Sequence, residues 1–140
     1  MSNLQQVVAL LGIRRVVRTQ LEMRPLVRRG LPYRAMERVA KELDLSVDET
    51  AKAIGLAGRT MARRKAAKIL DASESERVVR LARALTRAAD VLGSREKARA
   101  WIRKPNRALH GEQPLALLDT DIGTQAVDDV LTRIEHGVFS

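Results

Sequence analysis

Residues 46–68 read SVDETAKAIGLAGRTMARRKAAK, and this stretch predicts two short helices joined by a tight turn. Ser46, followed three residues later by Glu49, has the spacing of a capping box, in which the two residues satisfy each other's backbone N–H groups at a helix start. The run GLAG then interrupts the helical pattern. The small residue Ala51, a glycine four positions later and the apolar Met61 match a helix-turn-helix pattern.

The second helix of this stretch carries positive charge on one side. Residues four apart on a helix are neighbours, so the pairs at 59 and 63 and at 60 and 64 share a face. Arginine binds guanine with two hydrogen bonds, and the threonine methyl can touch that of thymine, which favours DNA binding. The predicted DNA contacts are Arg59, Thr60, Arg63, Arg64 and Lys65. Ala62, Ala66 and Ile69 are expected to pack inward; the alternative is a merely solvated basic helix.

The composition excludes several classes of protein. No cysteine occurs in the 140 residues, which excludes disulfides, thiolate metal sites and a cysteine nucleophile. No apolar run approaches the roughly 20 residues that span a bilayer, and the first residues lack the basic start of a signal peptide. We therefore expect a cytoplasmic protein. Only three aromatic residues are present, which argues against single-strand binding by base stacking.

Charge is distributed unevenly between the two halves of the chain. Residues 1–70 hold 15 Lys and Arg against 6 Asp and Glu, a net charge of +9, whereas residues 71–140 hold 11 of each. Residues 108–140 hold one basic and six acidic residues, a net charge of −5. This distribution indicates one surface for phosphates and another for a different partner.

Helical spacing of apolar residues predicts an all-α fold with a helix-turn-helix domain at residues 1–70 and a second helical domain at residues 71–140. Besides the central pair, helices are expected at residues 3–11, 19–29 (interrupted near Pro25), 33–43, 74–92, 95–103 and 115–118, with a final helix from Thr124 to Gly137. The longest is expected to start at a capping box of Ser73 and Glu76. Its apolar stripe fits a core helix or one shared between domains or subunits.

The sequence contains no credible active site. Asp119 and Asp121 resemble a carboxylate pair, but the better interpretation is that they have structural roles in a loop and at a helix cap. His110 and His136 have no spacing that converges on a metal, and no glycine-rich loop follows a strand. We therefore expect no catalytic residue, metal or cofactor.

Several segments resemble the Xre/MbcA/ParS group of antitoxins. They are GLPYRAMERVAKELDLS, GRTMARRK, ESERVVRLARAL, ADVLGSREKARAWIRKPNRALHGEQPLALLDTDIG and VLTRIEHGVFS, which together cover about residues 30–140. The C-terminal segments are the specific ones, from Trp101 to Gly123 and from Arg133 to Gly137. The sequence departs from the group at His110, where glycine is common.

The resemblance implies an antitoxin that neutralises a RES-domain toxin, an enzyme that destroys NAD. It further implies a homodimer formed through the C-terminal domain, a C-terminal segment that plugs the toxin's NAD pocket, and repression of the operon through double-stranded operator DNA. The residues expected in the plug are Arg133, Glu135, His136, Gly137, Phe139 and Ser140. The alternative is a stand-alone helix-turn-helix regulator whose second domain dimerises or binds a small ligand.

Overall fold

The computed structural model describes residues 2–56 and 58–137, and these residues form helices without a β-strand. The α-helices are α1 (Asn3–Leu10), α2 (Met23–Arg29), α3 (Tyr33–Leu43), α4 (Val47–Ala53), α5 (Gly58–Ala67), α6 (Ala72–Leu92), α7 (Arg95–Ile102), α8 (Pro114–Leu117) and α9 (Asp121–Glu135). Short 3₁₀ turns cover Gln20–Glu22 and Arg107–Leu109. The predicted all-α class is confirmed. In the described part of the chain, no helix has the length and apolar character needed to cross a bilayer.

The 21-residue helix α6 lies at the centre of the fold. Helices α1, α2 and α3 pack against it from the first half of the chain, and α7 and α9 from the second half. The predicted apolar stripe is buried at Val78, Leu81 and Leu85, and burial extends to Val79 and Ala88. Helix α6 thus contributes to the packing of both halves. The domain boundary expected between residues 70 and 71 stays a prediction.

Helix α1 is attached to α3 at its C-terminal end. Arg38 of α3 donates from Nε to the carbonyl of Leu10 at 3.1 Å and from Nη2 to that of Ala9 at 3.2 Å, which satisfies the open end of α1. The helix predicted at residues 19–29 is divided before Pro25 rather than at it, since a 3₁₀ turn covers Gln20–Glu22 and α2 begins at Met23. Pro25 lies in the first turn of α2, where its missing N–H has no helical acceptor to lose.

The start of α6 corrects the prediction of a capping box at Ser73. The N-cap is Asp71, whose side chain accepts from the N–H of Glu74 at 2.7 Å, while Glu74 accepts from the N–H of Asp71 at 2.9 Å. Ser73 is an exposed residue within the helix. Ser75 is buried, and its side-chain oxygen accepts from the N–H of Leu31 at 2.8 Å. The pairs Asp71–Glu74 and Ser73–Glu76 both have capping-box spacing. The contacts of Glu74 with Arg64 and of Ser75 with Leu31 favour the first pair.

The last helix begins before the predicted Thr124. Thr120 is the N-cap and accepts from the N–H of Gly123 at 3.0 Å, so Gly123 lies inside α9 rather than in a loop before it. A Cβ at this glycine would lie 1.9 Å from the carbonyl oxygen of Leu117. Glycine is therefore required by the close approach of α8 and α9. At the other end, Gly137 follows the C-cap with φ of +72°, a conformation that favours glycine.

The connection between α7 and α8 explains the departure at His110. This residue has φ of +59° and ψ of +30°, in the left-handed region. Glycine adopts that region without a steric penalty, whereas histidine does so at some cost. The backbone conformation common for glycine is thus retained here with a larger side chain.

Candidate functional site

The turn between α4 and α5 is held in place by residues that the sequence predicted and by one that it did not. Ser46 accepts from the N–H of Glu49 at 3.0 Å and Glu49 accepts from that of Ser46 at 3.1 Å, which confirms the capping box. These hydrogen bonds lower the pKa of Glu49. Ile54 and Leu56 are buried. Arg77 of α6 donates to the carbonyl of Ile54 at 3.0 Å and so fixes the end of α4 to the central helix.

Helix α5 lies on the surface with a different face inward from the one expected. Ala62 and Ala66 are exposed and Ile69 is 42% exposed, so the prediction that these three residues pack inward is wrong. Met61 packs against the core instead. Ala62 and Ala66 follow Met61 by one and five positions, so they lie on a different side of the helix from Met61. Since Met61 faces the core, the alanines face solvent.

The outward face of α5 combines small residues with cations. Residues 59, 62, 63 and 66 follow the i, i+3, i+4, i+7 spacing of one helical face. Its side chains are Arg59, Ala62, Arg63 and Ala66, all exposed, with exposed Lys65 beside them. Alanine allows close approach to a groove floor and contacts the thymine methyl, while arginine reaches base edges. This face has the composition of a helix that enters the major groove.

Thr60 and Arg64 are turned partly inward, unlike the other predicted DNA contacts. Thr60 is half-buried and accepts from Arg63 at 3.4 Å. Arg64 donates from Nε to Glu74 at 2.7 Å and from Nη2 to Asp71 at 3.3 Å, and these interactions raise the pKa of its guanidinium. Arg64 therefore joins α5 to the N-terminus of α6. Sequence reasoning missed this role because Asp71 and Glu74 were not recognised as the cap.

The predicted toxin contacts lie at the end of α9, and two of them are outside the described residues. Glu135 accepts from Arg87 of α6 at 2.9 and 3.1 Å, which lowers the pKa of its carboxyl. His136 is 68% exposed at its side chain, and Gly137 is exposed. Arg133 is half-buried and lies within 3.5 Å of the carbonyl of Asp129. Phe139 and Ser140 lie beyond the residues that the structure describes.

Asp121, one of the two aspartates that resemble a carboxylate pair, has a structural role. Asp121 forms an ion pair with Arg80 at 2.8 Å, and Arg80 also donates to the carbonyl of Leu118 at 3.1 Å. These contacts fix the corner between α8 and α9. Across residues 2–56 and 58–137, no group of three or more His, Asp and Glu side chains is arranged to hold a metal ion.

Comparison with known proteins identifies both halves of the chain. Residues 22–83 match the model of the antitoxin Xre-like helix-turn-helix domain, and residues 87–137 match the antitoxin Xre/MbcA/ParS C-terminal toxin-binding domain. The chain is 30% identical over 117 residues to Antitoxin Xre of Photorhabdus laumondii, covering 82% of this chain and 79% of that protein. It is 36% identical over 94 residues to Antitoxin Xre of Yersinia enterocolitica, covering 66% and 64%. The chain therefore belongs to the Xre antitoxin family and carries an N-terminal helix-turn-helix domain followed by a C-terminal toxin-binding domain.

Proposed function

We propose that this antitoxin neutralises a RES-domain, NAD-degrading toxin by placing its C-terminal segment in the toxin's active site, and that it represses its own operon through α5. The observation that carries the DNA-binding part is the outward face of α5. That face presents Arg59 and Arg63 to solvent together with Ala62 and Ala66, with Lys65 beside them.

The toxin-binding part rests on the position and charge of the chain end. Helix α9 leads out of the core at Ile134, after which His136 and Gly137 are exposed. A pocket that binds the phosphates of a dinucleotide should be basic. Residues 108–140 have a net charge of −5, which complements such a pocket. The predicted contacts are Arg133, Glu135, His136, Gly137, Phe139 and Ser140.

Deletion of residues 138–140 tests the plug. The truncated chain and the full chain are each co-expressed with the neighbouring gene, and cell growth and NAD are measured. We expect growth arrest and loss of NAD with the truncated chain only. Operator binding and the melting temperature of the truncated chain serve as controls for the fold, since α5 lies in the other half. Full protection by the truncated chain would exclude the plug.

The DNA-binding part is tested by replacing Arg63 with alanine. If Arg63 reads a guanine, binding weakens by about 1–3 kcal/mol and discrimination is lost at one base position. If it contacts a phosphate, operator and unrelated duplexes lose affinity equally and the salt dependence decreases. Unchanged binding in gel shifts at two salt concentrations would remove Arg63 from the interface.

Homodimerisation is part of the proposal because one helix-turn-helix rarely supplies enough affinity. Two recognition helices about 34 Å apart would match successive major grooves and require a palindromic operator.

The alternative function, a stand-alone regulator, shares the DNA-binding half with this proposal. It would be favoured if the neighbouring gene encodes no enzyme and co-expression changes neither growth nor NAD.

A further inference from the structure

Two groups of arginines in this chain differ in their partners. Those on α6 and α7 are largely held by carboxylates or carbonyls, as in the pairs Arg80–Asp121 and Arg95–Glu42. Seven arginines among residues 14–34 are exposed, and their side chains have no hydrogen bond or ion pair to any described residue. They are Arg14, Arg15, Arg18, Arg24, Arg28, Arg29 and Arg34. Unpaired like charges repel each other, so this group is suited to a polyanionic partner.

Backbone contacts place the last members of this group beside the recognition helix. The turn after α2 pairs with the segment after α5: the N–H of Leu70 donates to the carbonyl of Leu31 at 2.9 Å, and that of Tyr33 donates to the carbonyl of Lys68 at 3.1 Å. Gly30 permits the approach, because it has φ of +102° and a Cβ there would lie 2.2 Å from the carbonyl oxygen of Leu70. The end of α2 is therefore fixed against the end of α5.

This pairing brings cationic residues of α2 and α3 near the end of α5. A shallow groove there is lined by Arg34, Lys65 and Lys68, with Glu37 as its only acidic side chain among the described residues. Arg28 and Arg29, in the last turn of α2, lie two and one residues before Gly30. We call this surface the flanking patch and define it as Arg28, Arg29, Arg34, Lys65 and Lys68.

We propose that the flanking patch binds the phosphate backbone of duplex DNA beside the groove that α5 enters. This inference rests on the proposed DNA binding and adds contacts from α2 and α3, through Arg28, Arg29 and Arg34, to those of the helix-turn-helix pair. Because phosphates are the same in every sequence, the patch contributes affinity and orientation without base discrimination. Its contribution therefore differs in kind from that of Arg63, and the two can be separated by experiment.

The test uses the full chain with three substitutions, Arg28→Gln, Arg29→Gln and Arg34→Gln. Binding to the operator duplex and to an unrelated duplex of equal length is measured by fluorescence anisotropy at several salt concentrations. We expect both affinities to fall about tenfold or more near 0.1 M salt. The slope of log K against log salt is negative, and its magnitude should decrease by about 0.9 for each lost phosphate contact, up to about 2.7 for the three substitutions together.

A matched control removes the same charge from another surface. Lys97, Lys104 and Arg107 are exposed on α7 and the turn after it, and their side chains have no partner among the described residues. Lys97→Gln, Lys104→Gln and Arg107→Gln together should leave the salt slope at the wild-type value. If both triple variants lose slope equally, net charge alone is responsible and the patch is refuted.

The failure of this inference can be distinguished from that of the proposed function. If the wild-type chain binds neither duplex, DNA binding itself is wrong and the patch falls with it. If the wild type binds and Arg63→Ala relaxes specificity, but the flanking-patch variant keeps the wild-type slope, only the patch is wrong. Melting temperatures of all variants exclude unfolding as the cause.

Discussion

Arg87, near the C-terminal end of α6, holds Glu135 in the last turn of α9, 48 residues later, through hydrogen bonds of 2.9 and 3.1 Å. The same guanidinium lies 3.4 Å from Asp128 and donates to Thr132 at 3.2 Å. One cation thus fixes the final two turns of α9 on the central helix. A toxin contact through Glu135 must either include Arg87 or replace it.

Glu135→Gln should lower the melting temperature at pH 7, and Arg87→Met should lower it further. The second variant leaves a carboxylate unpaired near the negative end of a helix dipole. Because the folded pKa of Glu135 is lowered, the contribution of its ionised carboxyl is present above the ordinary value of 4.5 and is lost as the pH falls through the folded value. Thermal melts of wild type and Glu135→Gln should therefore begin to converge below about pH 4.5 and coincide only below the folded pKa of Glu135.

Asp129→Asn is the matched control for this pH dependence. Asp129 lies on the same helix but forms no ion pair with a described residue. Its melting curve should follow that of the wild type at every pH. A gap between wild type and Glu135→Gln that persists at low pH would contradict the assigned role of the ion pair.

Replacement of Asp71 tests which residue begins α6. Asp71→Ala removes the N-cap side chain and should cost about 0.5–2 kcal/mol of unfolding free energy. Ser73→Ala changes an exposed position inside the helix and should stay within about 0.5 kcal/mol of wild type. Urea denaturation of both variants gives the comparison. The reverse order would restore Ser73 as the cap.

Gly123→Ala should destabilise the chain although alanine is the better helix former. The helix-propensity gain is about 1 kcal/mol, but the new Cβ would meet the carbonyl oxygen of Leu117 at 1.9 Å and force α8 away from α9. We expect a net loss of about 1–3 kcal/mol, as for other overpacked sites. The neighbouring exposed Gln125→Ala should be nearly neutral. A stabilised Gly123→Ala would show that α8 moves freely.

His110→Gly should leave stability unchanged or raise it by about 1 kcal/mol. The left-handed backbone costs an L-residue about 1–2 kcal/mol, which is partly offset by the greater entropy that glycine loses on folding. His110→Val is the opposite control, since a β-branched residue is strongly disfavoured at φ of +59°. Equal unfolding free energies for the glycine and valine variants would contradict this backbone conformation.

Local sequence patterns were enough to predict the helical class, the helix-turn-helix pair and most helix ends. Caps such as Ser46 and Ser94 were predictable because each accepts from a backbone N–H only three residues away. Gly93 was predictable as the end of α6 for a similar reason, since its left-handed conformation depends on the residue itself. Information within one helical turn was enough for these features.

Three features depend on how the helices pack: the orientation of α5, the capping box that starts α6, and the arginines that lack a partner. Arg64 meets Glu74 ten residues later and Arg87 meets Glu135 after 48, so no periodicity within a helix records these pairs. The free arginines at 28, 29 and 34 approach α5 only because the turn at Gly30 pairs with the backbone at residues 68–70. Such contacts depend on how helices pack against α6, and local spacing carries no information about that packing.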